Sequence, residues 1–231
     1  MNPRRFLLIV LLSGSAFRPA RLMGAFDQDI LTLTTAPTND QSAGATIVAA
    51  LPFTTTQSVG TATSTAGDPV HSCTNSADSN TIWFRYTATF NGPLLVDTVG
   101  SSYNTVLSIY PAAGATSASE LTCSDNTDLT QQSAIQVGVT AGQSYLIEVS
   151  SVGQAPAGNL VFHVNGNDLS NQAQAITGNV QLTEFVGTAT TSLDDPVTSC
   201  ADLLDKTVWF RYTASASGAT QINTTGSDYD T

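Results

Sequence analysis

The chain repeats itself, and the repeat sets the unit from which any fold must be built. Residues 60–63 read GTAT, as do residues 187–190. DPVHSC, from Asp68 to Cys73, returns as DPVTSC from Asp195 to Cys200. TIWFRYTA, from Thr81 to Ala88, returns as TVWFRYTA from Thr207 to Ala214. GSSYNT, from Gly100 to Thr105, returns as GSDYDT from Gly226 to Thr231, and Asn39-Asp40 returns as Asn167-Asp168. The spacing drifts only from 128 (Asn39 to Asn167) to 126 (Thr105 to Thr231), so two single-residue gaps align both copies. Chance does not put five matched blocks in one order. The organisation read from this is a unit over residues 38–165 and a second, incomplete copy over 166–231. The second copy reaches only the point that matches Thr105, which reads as a truncated product or a fragment.

Within the first unit the pattern is strand after strand, punctuated by Gly, Pro, Asn and Ser clusters. Thr81 to Thr89 alternates, with Ile82, Phe84, Tyr86 and Ala88 on one face and Trp83, Arg85 and Thr87 on the other. Ile135, Val137 and Val139 line one face of a segment, as do Tyr145, Ile147 and Val149, and Leu160, Phe162 and Val164. Further strands are expected at 57–63, 93–99, 105–110 and 120–123. No stretch sustains a 3.6-residue period beyond a short helical turn after Asn39-Asp40. Eight or so short strands with one apolar face each predict an all-β fold, a jelly-roll-like antiparallel β-sandwich. An up-and-down barrel is the alternative.

The N-terminus reads as targeting. Arg4-Arg5 precede an apolar run from Phe6 to Leu12 and then small residues, Ser13 to Ala16, the order of a secretory signal. Residues 1–24 are assigned to that leader and 25–37 to a linker, with a retained anchor or a misassigned start as the alternative. The run is far shorter than the ~20 residues a membrane-spanning helix needs, so no span is expected after signal removal. Four of the seven basic residues lie in the leader, leaving Arg85, Lys206 and Arg211 against 18 acidic residues. A surface so acidic repels phosphate backbones, which excludes nucleic acid as a partner. Export permits a disulfide, and the repeat accounts for the odd count of three cysteines. Cys73 is expected to pair with Cys123, whereas Cys200 matches Cys73 and its partner has no counterpart in the shorter copy. Two unpaired buried thiols are the alternative.

The order of these blocks resembles the bacterial pre-peptidase C-terminal domain, a secreted β-sandwich module often appended to exported peptidases. The residues that carry the resemblance are Pro37 to Asp40, Leu51 to Phe53, Gly60 to Thr63, Asp68-Pro69 with Cys73, and Trp83 to Thr87. Gly100-Ser101 with Tyr103 to Leu107, Cys123 to Asn126 and Ala141 to Ile147 complete it. The resemblance implies a non-catalytic accessory role in secretion, folding, surface attachment or substrate engagement. It also implies calcium as a candidate ligand, because calcium-binding members use an Asn-Asp pair at the start of the domain. Here that pair is Asn39-Asp40, or Asn167-Asp168 in the second copy.

Calcium takes six to eight oxygen ligands, and Asp68 and Asp78 add carboxylates if the loop before the Trp83 strand folds back. The alternative is that Asn39 and Asp40 cap the short helix that follows, or form an Asx turn. No EF-hand pattern is present. Asp228 and Asp230 flank Tyr229, but the first copy has Ser102 and Asn104 there, so a turn explains both copies where a two-carboxylate site explains one. Trp83 and Arg85, two residues apart on one face, form either an exposed recognition platform or a covered sheet face in which Arg85 meets a partner such as Glu148. His71 is assigned to a surface loop and His163 to the outward face of a strand, and no zinc spacing, nucleophile elbow, P-loop or dinucleotide motif occurs. The function expected is a non-catalytic extracellular accessory or binding module for an extracellular protein or polysaccharide. Two alternatives stand: the N-terminal part of a larger secreted peptidase with its catalytic domain beyond residue 231, and a structural spacer or adhesin repeat.

Overall fold

The computed structural model describes residues 35–127, 130–154, 156–200 and 205–231; the expected leader, and the linker up to residue 34, lie outside them. Nine strands build the first unit: β1 (Thr46–Val48), β2 (Phe53–Ser58), β3 (Ser79–Thr87), β4 (Gly92–Asp97), β5 (Thr105–Pro111), β6 (Thr122–Ser124), β7 (Ala134–Val139), β8 (Ser144–Ser151) and β9 (Asn159–Asn165). They form two sheets, one in the order β1-β3-β8-β5-β6 and the other β2-β9-β4-β7. Every pairing is antiparallel except β1 with β3. The expected β-sandwich is what the chain forms.

The alternation read from the sequence sets the core. Ile82, Phe84 and Tyr86 of β3, Leu94 and Val96 of β4, Ile147 and Val149 of β8, and Leu160, Phe162 and Val164 of β9 meet between the sheets. Phe84 and Phe162 stack with ring centroids 4.0 Å apart, and Phe53 meets both edge-on at 6.4 and 6.3 Å. Such offset and edge-to-face pairs add about 0.5–1.5 kcal/mol each beyond the area they bury.

Two details depart from the sequence reading. β1 was not expected, because three residues in an edge position carry too little periodicity to register. The strand placed at 57–63 instead spans Phe53–Ser58; the chain then turns, with the Ala62 N–H donating to the Val59 carbonyl. The five-stranded sheet is buried on both faces, as in the covered-face reading of Trp83 and Arg85. The segment from Thr63 to Asp78 folds over its outer side, where Trp83, Tyr110 and Leu146 make a second apolar cluster with Ala45 and Ala115. β8 is accordingly buried along almost its whole length.

Residues 166–231 repeat several of the opening hydrogen bonds of the first unit. A three-residue 3-10 turn at Ser170–Gln172 precedes β10 (Gln174–Ile176), which pairs in parallel with β11 (Phe210–Tyr212). This is the pairing of Thr46–Val48 with Phe84–Tyr86. The Trp209 N–H donates to the Asn167 carbonyl at 2.8 Å, as Trp83 does to Asn39 at 2.8 Å. Thr207 N–H donates to Thr190 O at 3.2 Å, as Thr81 does to Thr63 at 3.2 Å. Gly226 and Gly100 both hold left-handed backbone, at φ 100° and 94°, which fits the turn reading of that block. Among the described residues, no helix is long and apolar enough to cross a membrane.

Candidate functional site

The candidate residues fall into three places rather than one. The first is the latch that opens the unit. Asp40 accepts the Thr63 N–H at 2.5 Å on Oδ1 and the Thr63 hydroxyl at 2.6 Å on Oδ2. Asn39 donates to the Trp83 carbonyl at 3.2 Å and exchanges hydrogen bonds with the Gln57 amide. Neither residue caps the turn that follows: its N-cap is Gln41, without a side-chain cap bond. The pair instead pins the start of the domain to β2 and β3. Asp168 repeats the role, accepting the Thr190 N–H and hydroxyl at 2.6 and 2.8 Å.

Asp68 closes its own turn, accepting the Thr65 N–H at 2.7 Å and the Thr65 and Thr81 hydroxyls at 3.0 and 2.8 Å. Asp78 lies elsewhere, with His71. Asn39, Asp40, Asp68 and Asp78 are therefore engaged with protein partners and do not converge on one centre. Among the described residues, no group of three or more His, Cys, Asp or Glu is arranged to hold a metal ion.

The second place is a buried ionic cluster under the folded-back loop, and it corrects the reading of His71. That residue is not on a surface loop; it is 0% exposed. Its Nδ1 is 2.7 Å from Asp78 Oδ2 and its Nε2 is 3.1 Å from Glu148 Oε2. Asp78 also accepts from the Thr74 hydroxyl at 2.7 Å and the Gly153 N–H at 2.7 Å. Burial by itself pushes the imidazole down, but the Glu148 and Asp78 carboxylates outweigh it and raise His71 to about 9. His71 is an imidazolium at neutral pH. Burial pushes the Glu148 carboxyl up, against the pull of His71.

Cys73 and Cys123 form a disulfide with Cα atoms 5.6 Å apart, the expected pairing, which ties this loop to β6. Cys200 is free and exposed. With no hydroxyl or thiol nucleophile bonded to His71 and no exposure to solvent, the cluster clamps a loop and cannot turn over a substrate. His71 precedes Ser72-Cys73 and Thr198 replaces it in the second copy, which reads as a surface loop; nothing local shows that the cysteine drags it onto the sheet.

The same fold-back gives the covered-face reading of Trp83 and leaves no exposed platform. Trp83 is 2% exposed and packs against Tyr110 at a centroid distance of 5.9 Å, so it offers no stacking surface. Arg85 is half-buried on that face. It does not meet Glu148, which is bound to His71, and it makes no ion pair among the described residues. His163, on the outer side of β9, is 2.8 Å from Asp97, whose hydrogen bond raises the imidazole against the effect of burial.

The third place was not read from the sequence. A shallow cleft of about 440 Å³ runs along the β4–β7 side of the second sheet, lined by Gly92, Pro93, Gln136, Gly138, Asp168, Leu169, Thr190 and Ser192. Gln136 Nε2 donates to Asp168 Oδ2 at 3.2 Å and reaches the Thr190 hydroxyl at 3.4 Å. Its wall presents an amide and two hydroxyls beside the apolar surfaces of Pro93 and Leu169, with the Asp168 carboxylate buried behind Gln136 and Thr190. Its size lies within the range of small-molecule sites. No sequence motif marks it, because its lining comes from two strands and two later turns.

The first unit is thus a nine-stranded, disulfide-tied β-sandwich with the His71–Asp78–Glu148 cluster closed to solvent inside it. The family described as galactose binding domain-like, T9SS-associated, matches residues 38–164, and the chain belongs to it. The match spans the whole sandwich and makes this a secreted or cell-surface protein. The resemblance to the pre-peptidase C-terminal domain therefore carries as far as a secreted β-sandwich module, while the matching family is the galactose binding domain-like one. No curated protein matches the chain.

Proposed function

We propose that this protein is a non-catalytic accessory module that holds an extracellular polysaccharide for a secreted or surface-bound assembly. The observation that carries this is the family match over residues 38–164, which ends where the sandwich ends. The cleft between Pro93, Gln136, Asp168 and Thr190 is the surface that suits a sugar best. A pyranose has hydroxyls that both donate and accept, and an apolar face that seeks a flat surface. Gln136, Thr190 and Ser192 supply the first kind of contact, with Asp168 orienting Gln136 and Thr190 from behind, and Pro93 and Leu169 the second. In this reading residues 38–165 are one module and 166–231 the start of another, exported behind the leader at 1–24. The repeated hydrogen bonds of the two segments support the division.

The test is a glycan array followed by calorimetry on the full chain. Binding of a galactose-containing glycan that Gln136→Ala weakens tenfold or more, with the thermal midpoint unchanged, supports the proposal. Glycan binding that is indifferent to Gln136→Ala moves the site away from the cleft. No glycan binding on the array overturns the carbohydrate reading.

A further inference from the structure

The chain passes from the first segment to the second through one residue, and that residue is packed. β9 ends at Asn165, and Asn167 already belongs to the latch of the second segment. A Cβ on Gly166 would stand 2.8 Å from Phe90 Cζ and 3.0 Å from Leu51 Cδ1, so the backbone lies directly on two side chains of the first unit. Gln172 donates from Nε2 to the Asn91 carbonyl at 3.1 Å. A Cβ on Gly92 would meet the same Nε2 at 2.5 Å and Leu169 Cδ1 at 3.4 Å. The turn that receives them is itself held, because Asn91 Oδ1 accepts the Ala141 N–H at 2.9 Å. Glu184 adds a charge to the joint. Burial pushes its carboxyl up, the Asn167 amide holds it down, and Asp97 and His163 of the first unit act on it in opposite directions.

The repeat shows that these contacts are particular to the second segment. Thr38, Gly44 and Gln57 stand in the first copy where Gly166, Gln172 and Glu184 stand in the second. The latch beside them is shared, Asp40 with Thr63 and Asp168 with Thr190. The cleft runs along this joint: Gly92, Pro93, Gln136 and Gly138 come from β4 and β7, and its other wall from the second segment. Thr63, the counterpart of Thr190, is exposed in the first unit, where both sheets are present, so the openness of that wall belongs to the latch itself.

We infer that the cleft is a joint site, which holds a saccharide only while the second segment is docked on the first, and that Gly166, Gln172 and Glu184 are the positioning residues that dock it. This rests on the carbohydrate reading of the cleft and adds how the site is assembled. Each wall brings a polar group and an apolar surface, Gln136 with Pro93 on one side and Thr190 with Leu169 on the other. A sugar ring gains from both only if their spacing is fixed beforehand, because ordering a loose segment on binding costs affinity. The two walls also depend on each other, since Gln136 is oriented by an acceptor, Asp168, that the second segment supplies.

The experiment uses the full chain and the triple variant Gly166→Thr, Gln172→Gly, Glu184→Gln. It gives the second segment the residues of the first copy and changes none that lines the cleft. Residual dipolar couplings from residues 38–165 and 167–192 of the parent are expected to fit one alignment tensor, and those of the variant to need two. The galactose-containing glycan selected on the array is expected to bind the variant about tenfold more weakly or worse, with the thermal midpoint of the first unit unchanged. Gln172→Gly alone, which enters neither core, is expected to weaken binding by about two- to tenfold, the worth of one hydrogen bond. Undiminished glycan binding in the triple variant, with its segments uncoupled, overturns the inference and leaves the carbohydrate reading standing. Two tensors in the parent overturn the inference without any sugar, and one tensor in the variant overturns the assignment of these three residues. One tensor in a parent that binds no glycan overturns the carbohydrate reading, and the joint site with it.

Discussion

His71 shows how one residue couples the loop to the pH of its surroundings. Its folded value is raised to about 9, against 6.5 for the free side chain. A raised value means that the folded state holds the proton more tightly than the unfolded state. The stabilisation is therefore complete below about pH 6.5 and is lost as pH climbs through 9. Stability is expected to fall between pH 7 and 10 with a slope of at most about 1.4 kcal/mol per pH unit, the linkage limit for one proton. Urea titrations across that range check it, and His71→Gln is expected to reduce the slope to what His163, also raised by Asp97, contributes. The same variant loses about 3–5 kcal/mol at pH 7, because the Glu148 and Asp78 carboxylates stay buried without their cation. Asp40 permits a second test at this scale. Asp40→Ala removes two hydrogen bonds to a charged acceptor and is expected to cost about 1.5–3 kcal/mol. If Asp40 is a latch, the thermal shift is the same with and without calcium; a calcium-dependent shift in the parent chain that Asp40→Ala removes restores a metal role.

At the scale of elements, the segment from Thr63 to Asp78 decides most of what the sequence left open. It is held by the Asp68 turn, the His71 cluster and the Cys73–Cys123 disulfide, and it turns the outer face of a five-stranded sheet into a second interior. The bridge closes a separation of 50 residues, for which the chain-entropy relation gives about 4 kcal/mol. Cys73→Ser is expected to lower stability by up to that amount. It should also release Trp83 to solvent, read as a red shift and increased quenching of its fluorescence. A loss of stability with no change in Trp83 emission would show that His71 and Asp68 hold the cover without the bridge. The strands themselves were legible from alternation at β3, β7, β8 and β9, where one face is uniformly apolar. β1 was not legible, and the burial of the outer face was legible only as one of two readings of Trp83 and Arg85. Both depend on which distant segment lies across a strand, which a period-two pattern does not encode.

Across the whole molecule the two segments differ in how much sheet they hold among the described residues, and their stability should differ with it. The first unit closes two sheets over a shared core. The second, among its described residues, has one two-stranded pair, and everything from Phe210 to Thr231 is exposed. An isolated two-stranded ribbon is marginal in water. Amide exchange on the full chain is expected to show protection near the global limit in β3, β8 and β9, and near-random-coil rates from Phe210 onward. Equal protection in both copies would mean that the second segment is covered in solution by something beyond these strands.

The sequence by itself determined the repeat, the β-sandwich, the Cys73–Cys123 pairing and the inward faces of the main strands, because each is written in local periodicity or in a comparison of the chain with itself. Only the tertiary structure decided that His71 is an interior cation, that Trp83 is sealed, that Asn39 and Asp40 tie strands instead of capping a turn, and that a cleft opens beside Gln136. Those outcomes arise where segments far apart in the chain are laid against each other. Burial and charge pairing at such places follow from packing, and no single stretch of residues carries them.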